Sequence, residues 1–211
     1  MIRFYHIFIC IIALLNGEWI NAQSTLISSD TLIISHNKII IQLNENNVFK
    51  LRSEKDSLVE KDYYPSDLEF VDFNEDGFMD IKVSFLSNAS GIYDIFLYDK
   101  TIDFFKKVNG ILSVPEPQKI KGTEYYYSYS RSGCSDQNWD SYLFKIKDFN
   151  VEKIGNIHAV GCDFSSEKKG VFIYKYKRND EILLKKIRLS KINNKWEFIN
   201  KYWKKNFLNF I

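Results

Sequence analysis

The 211-residue chain carries 29 Lys and Arg against 27 Asp and Glu, a formal net charge of +2. A balance this close points to neither nucleic acid nor a polyanionic surface as partner. The length is ample for one domain with a substantial core, and 45 % of the residues are hydrophobic.

Residues 1–22 read as an export signal. Arg3 supplies a small positive start, Ile7 to Leu15 is an apolar run too short to span a bilayer, and Asn16-Gly17 breaks it. Ile20-Asn21-Ala22 offers a cleavage site before Gln23, so the mature chain is expected to be periplasmic or secreted, with no membrane span. Cys10 has no small residue before it, which argues against a lipid anchor. Removing Arg3 and Glu18 together leaves the net charge unchanged. Residues 23–66 are expected to hold N-terminal strands and a linker, and residues 67–211 a β-sandwich, with 23–211 forming one domain.

Beyond the signal, one short strand follows another. Thr31 to Ser35, a His36-Asn37 turn and Lys38 to Leu43 predict a hairpin, and Val48 to Leu51 a third strand. Arg52 to Ser66 is charged and irregular and reads as a connection. Leu68 to Val71 and Ile81 to Phe85 predict strands on either side of an acidic loop, and Tyr93 to Tyr98 predicts another. Asn109 to Gly122, with Pro115 and Pro117, predicts a loop. Glu124 to Ser130 is aromatic and strand-prone. Its Tyr125 and Tyr127 share one face and Tyr126 the other, which leaves room for a tyrosine-lined surface, while packing in the β core or at a sheet edge is the preferred reading. Tyr142 to Ile146, Lys153 to His158, Val171 to Tyr176, Ile182 to Leu189 and Lys195 to Ile199 continue the series. Only the tail Asn200 to Ile211 hints at a helix. The fold class is therefore all-β, an antiparallel two-layer β-sandwich. A propeller would need about four blades and several copies of the acidic loop, and there is one copy.

That loop is the most informative stretch of the chain. Asp72-Phe73-Asn74-Glu75-Asp76-Gly77-Phe78-Met79-Asp80 places oxygen side chains at loop positions 1, 3, 5 and 9 and glycine at position 6. This is the spacing at which a backbone curls around one calcium ion. Asp72, Asn74, Asp76 and Asp80 would offer side-chain oxygens and Phe78 its carbonyl. Gly77 suits the sharp reversal at position 6. Position 12 is Val83, so the closing glutamate of a helix-loop-helix site is missing. The reading is a calcium loop between two strands, and the alternative is an Asx-rich turn without metal.

Cys134 and Cys162 are the two cysteines left after the signal. In an oxidising compartment they are expected to pair; neither has the Cys-x-x-Cys or Cys/His spacing of a zinc site, and His158, four residues before Cys162, would add one ligand where a site needs more. Closing their 29-residue loop restricts the unfolded chain by about 3.6 kcal/mol in the chain-entropy model.

The acidic loop is followed by Ser87 to Asp99, by Tyr127-Ser128-Tyr129-Ser130-Arg131-Ser132-Gly133 and by the strand Trp139 to Ile146. The combination resembles exported bacterial proteins in which an F-x-D-x-N-x-D-G-x-x-D loop precedes a Gly/Asn turn, a W/F-L-Y-D strand and an S-R-x-G loop. That family includes calcium-containing periplasmic immunity proteins that block peptidoglycan hydrolases, with a fold similar to periplasmic lysozyme inhibitors. The resemblance covers Leu68 to Ile146. It implies the calcium ligands above and a partner-facing segment at Tyr129, Ser130, Arg131, Ser132 and Gly133. This chain departs from the pattern in its cysteine pair and its slightly basic charge.

No catalytic constellation stands out, and the chain is expected not to be an enzyme. The three loop aspartates lie too close together for a glycosidase pair, and Ser132-Gly133 lacks the context of a nucleophile elbow. His36 falls in a turn, and His158 reads as a packed or half-exposed residue. The lysine pairs, such as Lys106-Lys107, read as solvated positions. The aromatic and basic tail is expected to dock on the sandwich rather than on a membrane. Two functions follow: inhibition of a cell-wall glycosidase, or a structural or carbohydrate-contacting module in which calcium is a staple.

Overall fold

A computed structural model describes residues 26–34, 37–44, 48–60, 64–87, 91–163, 168–178 and 180–211. The expected export signal and the His36 position lie outside the described residues.

Fifteen strands appear among the described residues, all paired antiparallel. The first meander is β1 (Leu26–Ile34), β2 (Asn37–Asn44), β3 (Phe49–Arg52) and β4 (Ser57–Glu60). The second is β5 (Pro65–Val71), β6 (Asp80–Phe85), β7 (Tyr93–Asp99) and β8 (Phe104–Lys107). The third sheet contains β9 (Gln118–Lys119), β10 (Tyr125–Tyr127), β11 (Ser130–Arg131), β12 (Trp139–Lys147), β13 (Asn150–Val160), β14 (Gly170–Lys177) and β15 (Asp180–Ile187). Its order is β15-β14-β13-β12-β10-β9, with β11 also on β12.

The all-β, antiparallel packing is what the alternating sequence predicts, but the stack holds three sheets rather than the two layers expected. Strand β7 explains the difference. Phe96 and Tyr98 pack with Ile39, Ile41, Phe49 and Leu51 of the first sheet. The alternate residues Ile95 and Leu97 pack with Tyr126 and Phe144 of the third. A middle sheet covered on both faces needs apolar residues at successive positions, which is why Ile95-Phe96-Leu97-Tyr98 shows no alternation. The third sheet is covered as well. Its other face, with Leu143, Ile157, Val171 and Ile173, receives Ile199 and Trp203 of helix α1 (Lys195–Asn206) and Phe210 of the following 3-10 turn. Trp203 is fully buried, and its indole N–H donates to Ser141 Oγ at 2.7 Å.

Several local expectations are corrected by this packing. Lys195 to Ile199 is the start of a helix, not a strand. Asn194 caps it by accepting from the Glu197 amide at 3.0 Å, and Ile199 and Trp203 share a face at a spacing of four. The tail beyond it docks on the sheet, as the aromatic content predicts. Residues 52–66 contain β4, not just a connection, and 109–122 contains β9. Tyr125, Tyr126 and Tyr127, by contrast, pack in the core as preferred, and form no tyrosine-lined surface: Tyr126 stacks on Phe73 and Phe144, while Tyr125 and Tyr127 face the helix layer. Nor are Lys106 and Lys107 merely solvated. Lys106 pairs with Asp99 at 2.7 Å, and Lys107 bridges the buried Asp94 at 3.0 Å and Glu60 at 3.1 Å.

Among the described residues no helix is long and apolar enough to cross a membrane.

Candidate functional site

The acidic loop closes the β5–β6 hairpin, beyond the last pair Val71 and Asp80. It folds on its own backbone amides. Asp72 accepts from the amides of Asp76 at 2.9 Å and Gly77 at 3.0 Å, through its two carboxylate oxygens. Asn74 Oδ1 accepts from the Asp76 amide at 3.1 Å, and Asp76 Oδ1 from the Phe78 amide at 3.0 Å. Gly77 takes φ 89°, where a Cβ would strain the chain, and Glu75 takes φ 56°. Two aromatic anchors pin the loop between sheets: Phe78 stacks on Tyr98 and Phe73 on Tyr126, each with ring centroids 5.3 Å apart.

Asp80 is fully buried, and its two oxygens accept from Phe73 N at 3.0 Å and Tyr98 N at 2.9 Å. Burial pushes its carboxyl up to about 7, against the hydrogen bonds of the backbone at Phe73 and Asn74, and the negative charges of Asp76 and Asp72 add to the rise. Two lysines partly offset that charge. Lys119 donates to the Asn74 carbonyl and lies 3.5 Å from Glu75, and Lys100 lies 3.5 Å from Asp76. Among the described residues no three His, Cys, Asp or Glu side chains are gathered to hold a metal. The available donors are nevertheless the hard oxygens calcium takes: three carboxylates, the Asn74 amide and the Phe78 carbonyl. The buried Asp80 carboxyl, raised chiefly by its burial and further by Asp76 and Asp72, is the group a divalent cation would stabilise in its charged form. Asp72, Asn74, Asp76, Phe78 and Asp80 are oxygen donors of the kind calcium takes and would be the residues to hold it.

The segment that the resemblance assigns to a partner lies on the third sheet, at β11 and the loop after it. Ser130 and Arg131 pair with Asp140 and Trp139 of β12. Tyr129 does not face a partner: it is buried at 5 % exposure, its ring tilted against that of Trp196 with the centroids 4.0 Å apart. Its hydroxyl donates to Asp136 and accepts from Lys195 at 2.8 Å, and Lys195 also pairs with Asp136. Burial alone would raise the Asp136 carboxyl, but Lys195 and Tyr129 outweigh it and hold it below the ordinary carboxylate range. Ser132 Oγ donates to Asp140. Arg131 stays outward, its side chain 59 % exposed and 3.9 Å from Asp136.

The loop beyond Arg131 is tightly held. Gly133 has φ 103°, and Cys134, Ser135 and Asp136 follow at 51°, 49° and 70°. Three successive non-glycine residues in the left-handed region persist only where the surroundings impose them. Here the Cys134–Cys162 disulfide is formed, with the Cα atoms 6.0 Å apart. Asn138 Oδ1 reinforces it by accepting from the amides of Gly161 at 2.8 Å and Cys162 at 3.1 Å.

No protein-family model and no curated protein matches the chain. Its fold is similar to a solved structure described as that of a Xanthomonas type IV secretion system related protein. The TM-score is 0.48 at 13 % identity, covering 81 % of this chain and 97 % of that one.

One polar cluster went unread in the sequence. Asp140 accepts from Asn156 at 3.2 Å and sits 2.8 Å from His158 Nδ1. Burial would raise the Asp140 carboxyl, but hydrogen bonds from His158, Ser132 and Asn156 bring it below its ordinary value. The hydrogen bond to Asp140 in turn raises His158, against its partial burial. His158 is thus half-exposed, as expected, and charge-paired. The partners come from the loop after β11 and from β12 and β13, so no local spacing announces them.

Proposed function

We propose that the protein is exported, binds calcium at the β5–β6 loop and acts by binding, not catalysis, as an inhibitor of a peptidoglycan hydrolase. The observation that carries this reading is Arg131: an outward guanidinium on a segment held by the β12 pairing on one side and by the disulfide, Asp136 and Asn138 on the other. A loop ordered before binding loses little conformational entropy when it docks. Glycosidase clefts carry two carboxylates, and a guanidinium is the side chain best shaped to meet one of them in a two-pronged contact. Buried Tyr129 serves as the foot of the loop, leaving Ser130, Arg131, Ser132 and Gly133 as the contacting segment. Calcium supplies positive charge to the buried Asp80 when bound, and the loop's own residues hold β5 and β6 in register beneath it.

The test is titration of the mature protein against a muralytic glycosidase. Arg131→Ala should weaken inhibition roughly thirtyfold, the scale of an interface hot spot. Its melting temperature should stay within the small range of surface substitutions. Absence of both binding and inhibition rejects the reading. The calcium part is tested separately: the melting temperature should rise with millimolar calcium, and Asp76→Ala should abolish the rise. A melting curve indifferent to calcium and chelator removes the metal.

A further inference from the structure

The third sheet ends on one side at β15, and among the described residues no strand pairs with its outer edge. Seven of the eight residues of this strand are exposed, and the consecutive Ile182, Leu183 and Leu184 are among them. An unpaired edge that carries three adjacent apolar residues is a template for another strand. The charges around those residues select which one. Asp180 and Glu181 stand before them, and Lys185 and Lys186 after them. A protective edge repels its own copy, but here the two ends differ in sign. A second β15 laid antiparallel brings acid against base, whereas a parallel one sets like charges side by side.

We propose that the protein self-associates through β15: two copies pair edge to edge and antiparallel about a two-fold axis at Leu183 and Leu184, joining their third sheets into one. The register follows from the faces. Along β14, Glu181 lies opposite Tyr176, Ile182 opposite Lys175 and Leu183 opposite Tyr174. After a bulge at Leu184, Lys185 lies opposite Ile173, Lys186 opposite Phe172 and Ile187 opposite Val171. Val171, Ile173 and Ile187 pack on the helix side, and Lys175 reaches the Asn209 and Ile211 carbonyls there, so Ile182 and Lys185 share that side. Phe172 and Tyr174 stack on the other side, with Glu181, Leu183 and Lys186 beside them, and the Lys186 ammonium lies 5.0 Å from the Phe172 ring. A two-fold axis normal to the sheet keeps each face on its own side. That sets Glu181 against Lys186 of the second copy, Ile182 against Lys185 and Leu183 against Leu184, each twice by symmetry. Pairing Glu181 with Lys185 instead would bring opposite faces together. Within one chain Glu181 and Lys186 stand roughly 16 Å apart along the strand, too far to pair with each other. The association closes at two copies because each β15 has one outer edge. Strands β13 and β14 separate that edge from β12, so the Arg131 segment stays open in both copies.

The experiment is analytical ultracentrifugation of the mature protein from about 1 to 500 µM. One strand pair is a small interface, so a monomer–dimer equilibrium with Kd of about 10–100 µM is expected. Raising the salt from about 0.05 to 0.5 M should weaken it severalfold, since exposed charge pairs are screened. Glu181→Lys and Lys186→Glu each turn two attractive contacts into repulsive ones and should weaken the dimer about tenfold or more. The double variant Glu181→Lys/Lys186→Glu should return to within about threefold of the parent. Leu183→Lys, at an exposed position, should leave a monomer with an unchanged circular dichroism spectrum. A protein that stays monomeric at 500 µM overturns the proposal. So does a dimer indifferent to these substitutions, a charge swap that restores nothing, or assembly that continues beyond two copies.

Discussion

Replacing Cys134 and Cys162 together by serine tests how the Arg131 loop is held. The two residues are 28 apart in sequence, so the lost cross-link frees the unfolded chain by about 3.6 kcal/mol. Part of the native geometry has independent support. Asn138 still accepts from Gly161 and Cys162, and Asp136 still binds Lys195 and Tyr129. The folded state should therefore survive, and the cost should fall mainly on the equilibrium with the unfolded chain. For a domain of this length about 1 kcal/mol moves the melting temperature by roughly 2–4 °C, so the expected fall is about 7–14 °C. Calorimetry on the oxidised protein, the reduced protein and the Cys134→Ser/Cys162→Ser variant measures it, and the last two should agree. A fall of less than about 2 °C would refute the loop-entropy argument, because the measured contribution would then be far below that of a 29-residue loop.

Three further outcomes follow from named contacts. The Asp140–His158 pair should make stability depend on pH in a bell. The His158 contribution is complete below its ordinary value of 6.5 and is lost as pH rises through its raised folded value. The Asp140 contribution is complete above 3.8 and is lost as pH falls through its lowered folded value. Between about pH 4 and 6.5 both are present, and denaturant unfolding of Asp140→Asn should show the bell flattened; an unaltered pH profile in that variant rejects the pair. Lys107→Met should cost about 1–3 kcal/mol by removing the ammonium from buried Asp94, and adding Asp94→Asn should recover part of it. Equal stabilities of the Lys107→Met protein and the parent in urea would show that this bridge contributes nothing. Gly155→Ala places a methyl 2.5 Å from the Phe210 ring and 2.8 Å from the Tyr174 carbonyl, so it should destabilise by about 1–3 kcal/mol through overpacking. Truncating Phe210 to Ala in the same protein should relieve part of the clash, and no relief would place the strain elsewhere.

The amino-acid sequence by itself carried the strand-rich class, the acidic loop and the cysteine pair. Each is written locally: alternation along Ile81 to Phe85, oxygen side chains at fixed intervals through residues 72–80, and two remaining thiols in one chain. The same local signals misread the start of α1, although Asn194 and Glu197 at cap spacing were available to mark it. What no local pattern could decide is which faces meet. An apolar run such as Ile95 to Tyr98 is compatible with one buried face or two, and only the stacking of three sheets settled that both are covered. The same holds for Tyr129, which the sequence reading places in a partner-facing segment. Its burial follows from Trp196 and Lys195, more than sixty residues away, closing over it. Asp140 likewise meets His158 only because β12 and β13 run side by side in one register. Hydrogen bonds and charge pairs between distant strands depend on register and layer order. Those are set by the sum of packing over the whole chain, and no short window of sequence contains it.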